Sequence, residues 1–211
     1  AENFGIADLD DGMNLLAYRV LNPTAGVKTT FSMYLGKRAV DGSYSWKKAY
    51  PRNRYVGLFV GVHRSQAILL SAEAGDTYGI VAVDSKALVR RVVVPARKGR
   101  VLHTAQLSGE KLVLQYHSIP EQTVSIEVYD LSSRKGLAAF EVGKDLGLTP
   151  FGNLGEFNFG PAGSSARALY SDLSRGNVTL ELNLSRLTLE ALKGASEVDF
   201  DVSKVEHRFF T

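Results

Sequence analysis

Few residues in this chain have a type and spacing that could do chemistry. A serine nucleophile needs the strained G-x-S-x-G elbow, which lifts the hydroxyl beside an oxyanion hole. The nearest segment, Gly163-Ser164-Ser165-Ala166-Arg167, lacks the closing glycine and precedes a strand pattern instead of a helix. It reads as a loop between strands. The four histidines, His63, His103, His117 and His207, fall on different predicted strands or turns, with no H-x-x-x-H or comparable pair. A metal site would need several of them to converge with carboxylates, so they read as surface or core histidines. Asp8, Asp10, Asp11 and Gly12 look like the opening of a calcium loop, yet its last ligand position is Arg19 where that loop requires glutamate. A hairpin turn accounts for them.

The segment VRRVVVPARKGR gathers Arg90, Arg91, Arg97, Lys98 and Arg100. Such a group could meet phosphates, but no aromatic residues alternate with it to stack bases. Edge strands carry charges of this kind to prevent edge-to-edge pairing, and nucleic acid is not an expected partner. Asn177-Val178-Thr179 and Asn183-Leu184-Ser185 are glycosylation sequons by letter only, since both lie inside predicted strands. No catalytic, cofactor-binding or metal residue is assigned from the sequence, and no cofactor is expected.

The 211 residues carry a net charge of +3, 45% hydrophobic and 22% charged side chains, and no cysteine. Disulfides and thiolate metal sites are thereby excluded. No apolar run approaches the roughly 18–20 residues of a membrane span, and AENFGIADLDDG holds no signal-peptide core. The expected compartment is the cytoplasm, with no membrane partner. The first residue is Ala1 rather than Met, which reads as a processed, trimmed or partial chain.

The elements that must position any site are strands. From Lys111 to Val142, apolar residues alternate with others in three short runs, Leu112–Tyr116, Thr123–Leu131 and Leu137–Val142. Pro120 and the Ser132–Gly136 cluster break them apart, the signal of an antiparallel meander. The same unit recurs. Second strands are predicted at Leu15–Pro23, Ala67–Gly75, Leu112–Pro120 and Ala166–Ser174, and third strands at Val27–Gly36, Thr77–Lys86, Thr123–Ser132 and Asn177–Ser185. Outer fourth strands follow at Ser45–Pro51, Val89–Pro95, Leu137–Val142 and Thr188–Leu192. First strands precede near Gly5–Leu9, Tyr55–Val62, Leu102–Leu107 and Leu154–Phe159. Asp11-Gly12 and Ser108-Gly109 suit tight turns that need positive φ.

Four-stranded units recurring at about 40–50 residues predict an all-β fold, a partial or small β-propeller of about four blades. The predicted blades occupy 1–53, 54–100, 101–148 and 149–196, and 197–211 reads as an exit strand. Each blade owns all its strands, so no strand exchange latches a ring. In an open half-ring the end blades would present apolar faces seeking partners, and two copies could complete each other as a homodimer.

The run from about Thr77 to Thr211 resembles the C-terminal part of the propeller of prolyl oligopeptidases, the S9 serine peptidases. The resemblance is carried by VVVPARKGRVLHTAQLSGEKLVLQYHSIPEQTVSIEVYDLSSRKG, by LYSDLSRGNVTLELNLSRLTLEAL and by VDFDVSKVEHRFFT. It extends more loosely to DLDDGMNLLAYRV and WKKAYP. It implies a seven-bladed unlatched propeller capping an α/β-hydrolase domain, whose tunnel admits oligopeptides and excludes folded proteins. The chain departs from that pattern in having four blades and no hydrolase domain, so no catalytic triad and no peptidase activity of its own are expected. The expected function is substrate gating in a parent peptidase, with its hydrolase domain and an oligopeptide as partners. A stand-alone propeller that binds a protein or ligand is the alternative.

Overall fold

The computed structural model describes residues 4–9, 15–22, 30–53, 59–72, 77–84, 86–150, 152–172 and 175–192. They form four antiparallel sheets, each a meander with its strands in chain order. The first sheet holds β1 (Phe4–Leu9), β2 (Leu15–Asn22), β3 (Thr30–Arg38) and β4 (Tyr44–Asn53). The second holds β5 (Phe59–His63), β6 (Gln66–Ser71), β7 (Gly79–Asp84) and β8 (Arg90–Val94). The third holds β9 (Arg100–Ser108), β10 (Lys111–Ser118), β11 (Thr123–Asp130) and β12 (Lys135–Glu141). In the fourth, the inner strand is split into β13 (Asn153–Leu154) and β14 (Asn158–Phe159), followed by β15 (Ser165–Asp172), β16 (Gly176–Asn183) and β17 (Thr188–Ala191). This is the predicted propeller architecture of four blades, with β1 beside β5 and β5 beside β9.

Period-two alternation explains the stacking. On β6, Ala67 and Leu69 join Leu35 of blade one, while Ile68 and Leu70 turn the other way to meet Leu112, Leu114 and Tyr116 of blade three. Val113 on β10 and Val124, Ile126 and Val128 on β11 then face Ala166, Ala168, Tyr170, Leu180 and Leu182 of blade four. Blades two and three are thus buried on both faces, which is why their second strands read as unbroken apolar runs. Each fully buried Leu or Ile contributes about 1.5–3 kcal/mol, and these contributions fall between blades.

The hairpins between third and fourth strands repeat one device. The Asp84 carboxylate accepts the Lys86 and Ala87 amides at 2.8 and 2.7 Å. Asp130 accepts Ser133 N at 2.6 Å, and Asn183 accepts Ser185 N and Arg186 N at 3.0 and 2.8 Å. Four positions beyond each capping residue, Leu88, Arg134 and Leu187 sit at φ of 56°, 58° and 56°. Gly42 takes the matching place in blade one at 84°.

Two local features bear on the sequence reading. The strand expected through Val142 ends at Glu141, and Val142–Leu146 forms a short helix, α1, closed by Gly147 at φ 63°. Asp145 Oδ2 accepts the Glu141 amide at 2.8 Å and Val142 is fully buried. Five residues are too few to show a helical period. The other is the far face of blade four, which was expected to be an apolar patch only in an open half-ring. It carries the Arg167–Glu181 ion pair at 2.7 Å, Ser171 bonded to Asn177, and Leu169, which is 55% exposed. The expected exit strand, 197–211, lies outside the described residues. Among the described residues no helix is long and apolar enough to cross a membrane.

Candidate functional site: a cavity on the inner strands

The first strand of every sheet is irregular: β1 shifts register between Ile6 and Asp8 and β5 between Phe59 and Gly61, and two further irregularities lie in blades three and four. On β9, Gln115 pairs with Thr104 and Tyr116 with Leu102, leaving His103 as a bulge. A bulge redirects a side chain and disturbs the ladder. Leu102 turns into the core, fully buried, while His103 stays exposed with its ring 5.0 Å from that of His117. The two histidines therefore come together across neighbouring strands, which their separation in the sequence hides. Burial and then the neighbouring His103 lower the pKa of His117, favouring its neutral form. Its Nε2 is buried with no hydrogen-bond partner.

The second irregularity is the gap between β13 and β14. Gly155 N donates to Leu169 O at 2.9 Å, and the chain then swings out through Glu156. Phe157 is buried against the core shared by blades three and four. The Gln106 carboxamide replaces the missing ladder. Its Nε2 donates to Phe157 O and its Oε1 accepts from Phe157 N, both at 2.8 Å. Further blade-three side chains reach backbone carbonyls of blade four: Gln115 on Gly155 at 3.2 Å, Ser108 on Gly163 at 2.9 Å and Lys111 on Leu184 at 2.6 Å. Behind the gap, the buried Tyr170 hydroxyl accepts from Gly152 N at 2.9 Å and donates to the Thr149 carbonyl. A Cβ on Gly152 would clash with the Tyr170 ring at its Cζ.

A cavity of about 330 Å³ lies against these inner strands. Phe59, Val60, Leu70, Ala105, Leu107 and Phe159 give it apolar walls, and His103, Thr104, Gln106 and Glu156 line the remainder. Both ends of the Gln106 amide are engaged on Phe157. Glu156 is exposed and is the one carboxylate among the lining residues, which include no lysine or arginine.

The residues singled out in the sequence are spread widely. Ser165, the serine position of the Gly163–Arg167 segment, opens β15 directly after the β14–β15 turn, where the Ser164 carbonyl accepts Leu184 N at 2.8 Å, so this segment is a hairpin. His63 ends β5 at a two-residue turn whose Arg64 and Ser65 both have positive φ. Asp8 is on β1 and Arg19 on β2, while Asp10, Asp11, Gly12 and His207 lie outside the described residues. Arg90 and Arg91 are on the outer strand β8. Arg97 stacks over the Tyr116 ring at 5.2 Å and pairs with Glu127, which Arg100 also approaches at 3.5 Å. Burial pushes the Tyr116 hydroxyl up to about 12. Two of the five cations therefore meet an internal carboxylate. Asn183 is committed to its turn. Among the described residues no three His, Cys, Asp or Glu side chains group to hold a metal. Sequence reading missed Phe59, Gln106, Glu156 and Phe159, although Gly155 breaking the LGEFNF alternation was a signal.

No family model and no curated protein matches the chain. Solved structures do. Prolyl oligopeptidase B from Galerina marginata, bound to a 35mer hydrolysis and macrocyclization substrate, matches over 96% of this chain at a TM-score of 0.74 and 14% identity. Its apo form matches with a TM-score of 0.72 at 13% identity. One of two prolyl endopeptidases studied for inter-domain dynamics in catalysis and specificity matches over 95% at 0.69 and 17% identity. The chain spans only 27–28% of the length of these proteins. At such identities the likeness is one of fold, and that fold is their propeller.

Proposed function

We propose that this chain is the propeller part of a serine peptidase that cleaves oligopeptides, and that it limits access to a catalytic α/β-hydrolase domain. The observation that carries the reading is the match over 96% of this chain to a prolyl oligopeptidase of which it covers only 27%. A propeller restricts access by its ring, and the inner strands here present a cavity where a peptide would pass. In this reading the blades divide at 53/54, 100/101 and 148/149, and 197–211 leads toward the hydrolase domain. The cysteine-free composition suits the cytoplasm.

The test uses the gene product that contains this sequence. It should hydrolyse a short proline-containing peptide, lose that activity to a serine reagent, and spare a folded protein of the same composition. The 211-residue chain alone should do none of this. Serine-reagent-sensitive hydrolysis by the pure chain, or equal cleavage of folded and short substrates by the longer product, would overturn the reading.

One observation favours a second reading, a stand-alone binding module. The polar far face of blade four, with Arg167 paired to Glu181, differs from the apolar faces by which blades two, three and four stack.

A further inference from the structure

We infer that the inner-strand cavity is a side-chain pocket for an extended peptide, selecting a large apolar or aromatic side chain flanked by lysine or arginine. The inference rests on the peptidase reading above and names the peptide class that the propeller would favour. Three observations carry it. First, β5 and β9 are the terminal strands of their sheets. Among the described residues, each has one edge that no strand of its own sheet pairs, and an extended peptide can add to such an edge by main-chain hydrogen bonds. Second, at about 330 Å³ the cavity stands at the small end of the ~300–1,000 Å³ range of ligand sites. Phe59, Leu107 and Phe159 offer it aromatic and aliphatic contact. It suits one side chain and not a folded element.

Third, the charge at the cavity is local and of one sign. Glu156 is its carboxylate, with no lining cation to offset it, on a chain whose net charge is +3. The Gln106 amide is occupied by Phe157, so it offers little competing recognition. A cationic residue beside the inserted side chain is attracted to Glu156, and an anionic one is repelled.

The experiment is fluorescence anisotropy of the 211-residue chain with three labelled hexapeptides on a Gly-Ser background, containing Phe-Lys, Phe-Glu or Gly-Lys. The Phe-Lys peptide should bind about tenfold or more tightly than either other peptide. Glu156→Lys, a change at an exposed position, should reverse the order of Phe-Lys and Phe-Glu. Ala105→Phe, which enlarges a residue lining the cavity, should abolish the advantage of Phe over Gly. Equal affinity for the three peptides, no binding of any of them, or an unchanged order in Glu156→Lys would overturn the pocket. These results leave the access reading intact if the longer gene product still spares folded protein. Conversely, the expected order in the chain together with cleavage of folded protein by the longer product would remove the gating role and leave the pocket.

Discussion

At the residue scale, the outer hairpins turn on Asp84, Asp130 and Asn183, whose side chains hold the backbone amides that follow. Hydrogen bonds from Ser133 are the main cause of the lowered pKa of Asp130, and those from the Ala87 and Lys86 amides the main cause for Asp84. A carboxylate with a depressed native pKa contributes stability that is present above its unfolded pKa, ordinarily about 3.9, and lost as pH falls through the native value. Asp130→Ala should therefore lower the urea midpoint at pH 7, and the gap to the parent should close below about pH 4. Asp130→Asn should lose much less, because Asn183 makes the same bonds in blade four. A pH-independent gap for Asp130→Ala would refute this account. The sequence placed the turn at Ser132–Gly136, whereas strand β12 begins at Lys135. Asp130 caps earlier and Arg134 takes the positive φ, so Gly136 is not needed in the turn.

At the element scale, blade four's inner strand departs from regularity and is held by side chains of blade three. Gln106→Leu removes both bonds to Phe157 and leaves its amide and carbonyl without that partner. The expected cost is about 1–3 kcal/mol, the penalty of leaving a buried polar group unsatisfied. Hydrogen exchange at Phe157 should accelerate, with β10 and β11 amides keeping their protection. Gln106→Glu, which keeps an acceptor for Phe157 N but loses the donor for its carbonyl, should fall between. Unchanged exchange at Phe157 in Gln106→Leu would mean that packing of the Phe157 ring alone holds the segment. Strand existence here was legible from alternation. The split was not, because its partner Gln106 lies in another blade and no local pattern announces a side chain substituting for a ladder.

At the scale of the molecule, the cores lie between blades, so each blade depends on its neighbours as in other repeat proteins. Leu114 is fully buried in the cluster that joins blades two and three. Leu114→Ala should cost about 2–5 kcal/mol and shift the unfolding of both blades together. A biphasic melt in which blade two keeps its original midpoint would show that the blades are stable separately. The shared clusters also explain the two-sided burial of β6 and β10, and blade four's polar far face marks where that pattern stops. The match over 96% of this chain to a protein of which it covers only 27% belongs to this scale as well.

The sequence by itself determined the strand content, the repeat and the order of strands within each blade. These follow from period-two alternation and turn residues, both local properties of the chain. It also determined what the chain lacks by letter: cysteine, and a G-x-S-x-G elbow. Only the tertiary structure decided what gathers on the inner strands. His103 meets His117 through a bulge, and Phe59, Leu107, Glu156 and Phe159 line one cavity from three blades. Such convergence depends on how successive sheets stack and where their ladders break, and residues far apart in the chain carry no sequence pattern for that.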